Sequence, residues 1–371
     1  MSNDVFTLKI LAISGIMIMT GTINTLAFKY QSYYKYKHGI TMTAQMFVGE
    51  FLNILILVIP ILLDKRKREQ HFLLIQHHAD LRDKKVEISW FRIAFGGFLD
   101  AFGSSLQIVG LFLVSPSVYQ LMKDGTIIFT AIFTIYYLKK PLYRHNWLGL
   151  MILLLGFIIV GLSSILYGKA SDQQNTFLLN LFGVFLMFIG LIFTGFQYVY
   201  EEKILDDFEL DPRRIIAAEG VLGTLTLSIC LTITSYVPCY YKELCDVDIA
   251  FDNPAAAMLH LRNGYILFYT LVSVMSIMVF NLAGLYLTKF VSSVFRLIID
   301  SIRIITVWVF AVLLGFEEIK IGSFLLQIVG FFFLILGILI FNEIIVVSFM
   351  GFDKKIGIRR LSANFITKPS M

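Results

Sequence analysis

"SPSVYQLMKDGTIIFTAIF", residues 115–133, sets a lysine and an aspartate inside an apolar stretch, and the chain returns to the pattern further on. A shift of 176 carries Val118 onto Val294, Tyr119 onto Phe295, Leu121 onto Leu297, Asp124 onto Asp300 and Thr130 onto Thr306. At the same offset Phe157 meets Phe333 and Gly161 meets Gly337. At an offset of 174, "GLFL" at 110–113 meets "GLYL" at 284–287, Thr20-Gly21 meets Thr194-Gly195, and Lys29 meets Lys203. Apolar matches between leucine-rich segments arise by chance. An aspartate matched inside two apolar segments carries more weight, and the chain reads as two related halves.

The solvent for which those halves are written follows from composition. Of 371 residues 57% are hydrophobic and only 15% charged, with 35 Phe and a mean hydropathy of +0.78. A soluble domain carries roughly 25% charged residues. Spans of about 20 apolar residues cross a bilayer as helices, because each backbone polar group must be satisfied within the segment. Ten are expected: 6–28, 40–63, 91–114, 116–138, 146–166, 176–200, 215–237, 265–288, 290–314 and 321–345. The fold class is therefore an all-α integral membrane protein of ten transmembrane helices. Five helices per half is an odd number, so the second half crosses in the opposite sense and forms an inverted repeat. Such repeats frame alternating access, with the solute near the midplane. The expected divisions are a first repeat at 1–172, a second at 173–350 and a basic tail at 351–371. The longest connectors, 64–90 and 238–263, are expected to be partly helical or disordered.

Lysine and arginine set the orientation. With a cytoplasmic N-terminus the inner loops and tail hold nineteen basic residues against seven in the outer loops. Both termini are thus expected in the cytoplasm, and the first helix is expected to serve as its own insertion signal. The net charge of +5 reflects this topology rather than nucleic-acid binding. Cys230 falls in a span and reads as a small packing residue, whereas Cys239 and Cys245, in "CYYKELC", form a possible disulfide if their compartment is oxidising. The N-x-S/T sequon is missing from the sequence, as are GxxxxGK[ST] and HExxH. His71, His77 and His78 share a charged loop without cysteine company and read as surface residues. No cofactor, metal or enzymatic activity is expected. The partners expected are a small-molecule substrate and the lipid bilayer, with a homodimer or membrane-complex partners left open.

"GTINTLAFK" at 21–29, "GSSLQIVGLFLVSPSVYQL" at 103–121 leading into "TIIFTAIF", and "FRLIIDSIR", "GFEE" and "QIVGF" from 295 onward carry a family likeness. They resemble the drug/metabolite transporter (EamA-like) superfamily, nearest to subfamily F of solute carrier family 35, which is related to the nucleotide-sugar transporters. The resemblance covers nearly all ten spans. It implies a ten-helix transporter fold of two inverted five-helix repeats, in the membrane of an intracellular organelle (endolysosomal, Golgi or mitochondrial). Where that group tends to have an Arg-Gly pair, this chain has Lys123-Asp124.

A charge at the centre of a span costs about 2.5–3.5 kcal/mol on insertion scales, so it must face a cavity or a partner. Arg296, Asp300 and Arg303 stand at i, i+4 and i+7, within about 60° of one another on one helix face. Asp300 is contested by two arginines, which leaves one guanidinium without a carboxylate on its own helix. Arg303, three residues away, is expected to hold it. Lys123 and Arg296 are then the candidates to line a solute path, since guanidinium and ammonium groups suit phosphate or carboxylate. Asn24, Tyr119, Gln120 and Asn281 are further candidates to hydrogen-bond a solute, with Gln107 and Tyr198 behind them. Asp124, Asp300, Arg303, Glu50, Asp100 and Glu219 are read as structural or coupling charges; the competing reading makes all these charges interhelical ion pairs. The expected function is a secondary transporter of a small organic, anionic metabolite working by alternating access. The alternative is a transport-inactive subunit of the same fold in a larger membrane complex.

Overall fold

A computed structural model describes residues 3–34, 36, 38–63, 90–113, 122–123, 125–167, 177–208, 210–236, 252–315, 321–341 and 345. Their regular structure is helical throughout: α1 (Asn3–Tyr33), α2 (Gly39–Leu63), α3 (Trp90–Leu113), α4 (Thr126–Tyr136), α5 (Arg144–Tyr167), α6 (Phe177–Phe208), α7 (Pro212–Tyr236), α8 (Gly264–Phe290), α9 (Ser293–Leu313) and α10 (Ile321–Phe341), with a short helix at Pro254–His260 before α8. Six stretches within them are long and apolar enough to cross a membrane: 6–31, 39–56, 181–208, 212–236, 264–290 and 324–341. Large apolar side chains such as Leu11, Phe91, Met151 and Leu325 point outward, as a lipid-facing surface requires.

Helix starts follow local chemistry. Ser292 caps α9 by accepting from the Phe295 amide at 3.1 Å, and Asn263 caps α8 through the Tyr265 amide at 3.0 Å. Asn253 does the same for the short helix, whose first residue is Pro254. Several boundaries depart from the expectation: α1 runs to Tyr33 rather than 28, and α4 begins at Thr126, after Gly125, rather than at 116. The sixth span was expected to end at 200, but α6 continues to Phe208, so Glu201 and Glu202 are helical rather than loop residues. Hydropathy falls where acidic residues begin, but these acids find partners inside the protein.

The principal helix pairs are α1 with α8, α2 with α7, α3 with α6, and α5 with α10. Next come α2 with α8, α3 with α7, α1 with α9, and α4 with α6. Every one of these joins a helix of the first five to one of the last five. Exchanging each helix for its counterpart five places along reproduces the same set. Two pairs close on glycine seams of sevenfold spacing. Gly149 and Gly156 on α5 face the backbone of Gly337 and Gly330 on α10, where an added Cβ would lie 2.9 Å from each carbonyl oxygen. Gly103 and Gly110 on α3 face Gly190 and Gly183 on α6 in the same antiparallel sense. Small residues allow such approach where lipid supplies no hydrophobic drive. The largest apolar core, around Leu150, Leu153, Phe157, Ile298 and Leu334, ties α4, α5, α9 and α10 together. It leaves the polar residues to gather elsewhere.

Candidate functional site

That gathering place is a cavity of about 120 Å³ among α1, α2, α3, α6, α7, α8 and α9, with Lys123 reaching it from ahead of α4. Five carboxylates, from Glu50, Asp100, Glu201, Glu219 and Asp300, line it with three cations, Lys123, Arg296 and Arg303. The wall is therefore richer in acid than the expected basic cavity.

Arg303 lies on Asp300, with Nε–Oδ1 at 2.6 Å and Nη2–Oδ2 at 3.1 Å, and its Nη1 donates to Thr25 on α1 at 2.8 Å. The second arginine, without a carboxylate on its own helix, finds one on another. Arg296 donates from Nη1 to Glu201 Oε2 at 2.9 Å, and its guanidinium sits 4.5 Å from the centre of the Tyr198 ring. The partner is on α6, out of reach of any argument confined to one helix. Gly284 makes room for it: a Cβ there would stand 2.5 Å from the Arg296 Nε. Arg296 is 5% exposed and Glu201 2%. Gln197 supports the pair by donating to Glu201 Oε1 at 2.6 Å.

Among the described residues, Glu50, Asp100 and Glu219 enter no such ion pair. Glu50 accepts from the Asn281 amide, and its second oxygen has no hydrogen-bond partner. Asp100 accepts from the Ser104 hydroxyl at 2.9 Å. Glu219 Oε1 is buried without a partner, and so is Gln197 Oε1. Lys123 is half-buried and enters none of the ion pairs among the described residues. Asn24 lines the cavity but spends its amide on Ser273 of α8, at 3.1 Å to the carbonyl and 3.0 Å to the hydroxyl. Gln107 likewise donates to Thr194 at 2.8 Å.

Of the expected site residues, the structure thus brings together Lys123, Arg296, Asn24, Asn281, Asp300, Arg303, Glu50, Asp100 and Glu219. Tyr119, Gln120, Asp124, Cys239 and Cys245 lie outside the described residues. Glu201, Gln197 and Thr194 were missed. The available signal was a Gln-x-x-x-Glu pair, residues 197 and 201, one turn apart on a helix extended past its apolar end.

Polar clusters stand at both ends of the bundle. At one, Glu202, 1% exposed, accepts from Lys140 Nζ at 2.7 Å and from the Ser293 amide that begins α9 at 2.6 Å. Lys140 also reaches Asp206 at 2.7 Å; burial works against its ammonium form, yet hydrogen bonds to Asp206 and Glu202 outweigh it and hold the amine above its ordinary value. At the other, Asp252 accepts from the Thr41 amide at 2.9 Å and contacts His38 at 3.0 Å, while the second His38 nitrogen meets His260 at 3.3 Å.

Comparison with known proteins bears on this architecture. A family model described as nucleotide-sugar transporter matches residues 4–342. Solute carrier family 35 member F6 of Rattus norvegicus is 29% identical over 350 residues, covering 90% of this chain and 88% of the relative. An uncharacterized protein of Schizosaccharomyces pombe is 32% identical over 259 residues, 68% of this chain and 74% of the relative. UDP-galactose translocator 1 of Caenorhabditis elegans is 21% identical over 256 residues, 68% of this chain and 65% of the relative. A solved crystal structure superposes with a TM-score of 0.57 at 10% identity, covering 90% of this chain and 99% of that one, a likeness of fold alone. With apolar helices closing on a polar cavity, the chain belongs to the nucleotide-sugar transporter family, in subfamily F of solute carrier family 35, and is a multi-pass membrane solute transporter rather than an enzyme.

Proposed function

We propose that the chain is a secondary transporter that carries a small organic solute with an anionic group by alternating access between two inverted five-helix repeats. The observation that carries this reading is the placement of Lys123 and Arg296 on the wall of a polar cavity enclosed between helices of both halves. Lys123 has no ion pair among the described residues, and Arg296 offers its fork to a phosphate or carboxylate that displaces Glu201. A relative named as a UDP-galactose translocator handles a solute of that charge class. The packing list that survives exchange of the halves supports the inverted repeat, with residues 1–172 and 173–350 as its two copies. The basic bias supports cytoplasmic termini, and the family supports an intracellular organelle.

A transport-inactive subunit is the less favoured reading. Gathering eight ionisable side chains around a cavity, with Glu50, Glu201, Glu219 and Arg296 buried, is costly, and packing alone gains nothing from it.

The experiment is solute exchange in proteoliposomes holding the purified full chain, with radiolabelled UDP-galactose, UMP, ATP, malate and choline. Exchange of one or more of the anions is expected. Exchange confined to choline overturns the charge assignment, and exchange of none overturns transport of these solutes.

A further inference from the structure

We propose that the cavity holds protons on Glu50 and Glu219 and that solute movement is coupled to them, an inference that rests on the transport reading above. The two residues come from helices that pack on one another. α2 supplies Gly49-Glu50 and α7 supplies Glu219-Gly220, and Gly220 lies so close to α2 that a Cβ would stand 2.2 Å from the Phe51 nitrogen. Each half thus brings one glutamate to the same crossing, each 2% exposed.

What this wall lacks is hydrogen. Glu50 Oε2 and Glu219 Oε1 have no donor, and neither does Gln197 Oε1, an amide oxygen on a third helix that is 3% exposed as a residue. Among the described residues lining the cavity, every buried polar side-chain atom left without a partner is an acceptor. Buried acceptors away from water normally have a donor. These oxygens are closed off from solvent, so neither a hydrated metal ion nor a solute ammonium touches them in this conformation. A proton reaches them, and turns one carboxylate oxygen into the donor that a neighbouring acceptor lacks.

Charge leads to the same place. The groups around the two glutamates are Asp100 on α3, Tyr198 and Glu201 on α6, Lys123 ahead of α4, and Arg296, Asp300 and Arg303 on α9; α1 and α8 face them with the neutral amides of Asn24 and Asn281. Fully ionised, five carboxylates outnumber three cations, and one proton on each glutamate brings the cavity to neutrality. An anionic solute then enters without net repulsion. On one face each carboxylate forms its O–H bond with a proton taken from hydronium; on the other that bond breaks and the proton returns to water, so the solute's negative charge crosses compensated.

Two measurements on the full chain in lipid test this. Infrared spectroscopy at neutral pH is expected to show a protonated-carboxyl C=O stretch in the wild type. The band should weaken in both Glu50→Gln and Glu219→Gln, which keep the side-chain shape. Where either variant fails to fold, loss of the wild-type band on alkaline titration still decides; a wild type without any such band overturns the proton site whatever the transport result. For a solute that exchanges in the UDP-galactose, UMP, ATP and malate screen, an imposed pH gradient, acid on the solute side, should speed wild-type uptake several-fold. Uptake indifferent to the gradient, with exchange intact, overturns coupling and leaves the transport reading standing. Exchange of none of the four overturns that reading, and coupling with it.

Discussion

Arg296 and Arg303 show what an ion pair costs to break at different depths. The Arg296–Glu201 side chains are 6% and 2% exposed, those of Arg303 and Asp300 14% and 23%. Removing one partner of a fully buried pair leaves an uncompensated charge, at about 3–5 kcal/mol. Arg296→Ala should therefore lower the amount of folded protein and its thermal midpoint more than Arg303→Ala does. Adding Glu201→Gln to Arg296→Ala should recover part of the loss, because it removes the stranded charge. Equal midpoints for the single and double variants would mean that the stranded Glu201 carries no charge penalty. Lys123→Ala is the complementary test: with no ion pair to break among the described residues it should leave the midpoint within about 0.5 kcal/mol, the range of ordinary surface changes, while lowering anion exchange. The sequence made the Arg303–Asp300 pair legible because both partners share a helix turn. Glu201 was not legible as the partner of Arg296, since it stands 95 residues away. It also lies where falling hydropathy marked a loop, although the helix continues through it to Phe208.

At the scale of the element, apolar length gave most helices and helix ends gave the errors. Their pairing was hidden for a different reason. A glycine seven residues from another is unremarkable until the facing helix is known to carry the same spacing. Gly156 on α5 sits where an added Cβ would meet the Leu334 amide nitrogen at 2.8 Å and the Gly330 oxygen at 2.9 Å, and backbone cannot step aside as a side-chain tip can. Gly156→Ala is expected to force α5 from α10 and destabilise by about 1–3 kcal/mol, the usual range for overpacking. Gly15, on a face of α1 with nothing within 4 Å of its would-be Cβ, is the control. There Ala gains helix propensity of up to about 1 kcal/mol. Thermal midpoints in one detergent compare the two directly, and a Gly156→Ala as stable as Gly15→Ala would show the seam to be slack.

For the whole molecule, the repeat expected from one matched aspartate remains a proposal, since Asp124 lies outside the described residues, and the two proposed halves pack mainly on each other. Each principal pair of helices crosses between them, so the cavity has walls from both. A polar cluster stands at each of its ends. Lys140 and Glu202 join the α4–α5 connection to α6 and the start of α9; His38, Asp252 and His260 join the α1–α2 connection to the segment before α8. Helices that alternate in direction put the α1–α2 connection and the α4–α5 connection on opposite faces, because three helices separate them. The proposed orientation, with cytoplasmic termini, would put the Lys140 cluster on the cytoplasmic side. In a background with Cys230, Cys239 and Cys245 replaced by serine, a membrane-impermeant maleimide should thus label Lys140→Cys only from the cytoplasmic side and His260→Cys only from the other. Lys140 is 46% exposed at its side chain, so labelling there does not require unfolding. Both positions labelled from one side would contradict the alternation itself. Each labelled from the side opposite to expectation would keep the fold and invert the orientation, placing the basic loops outside.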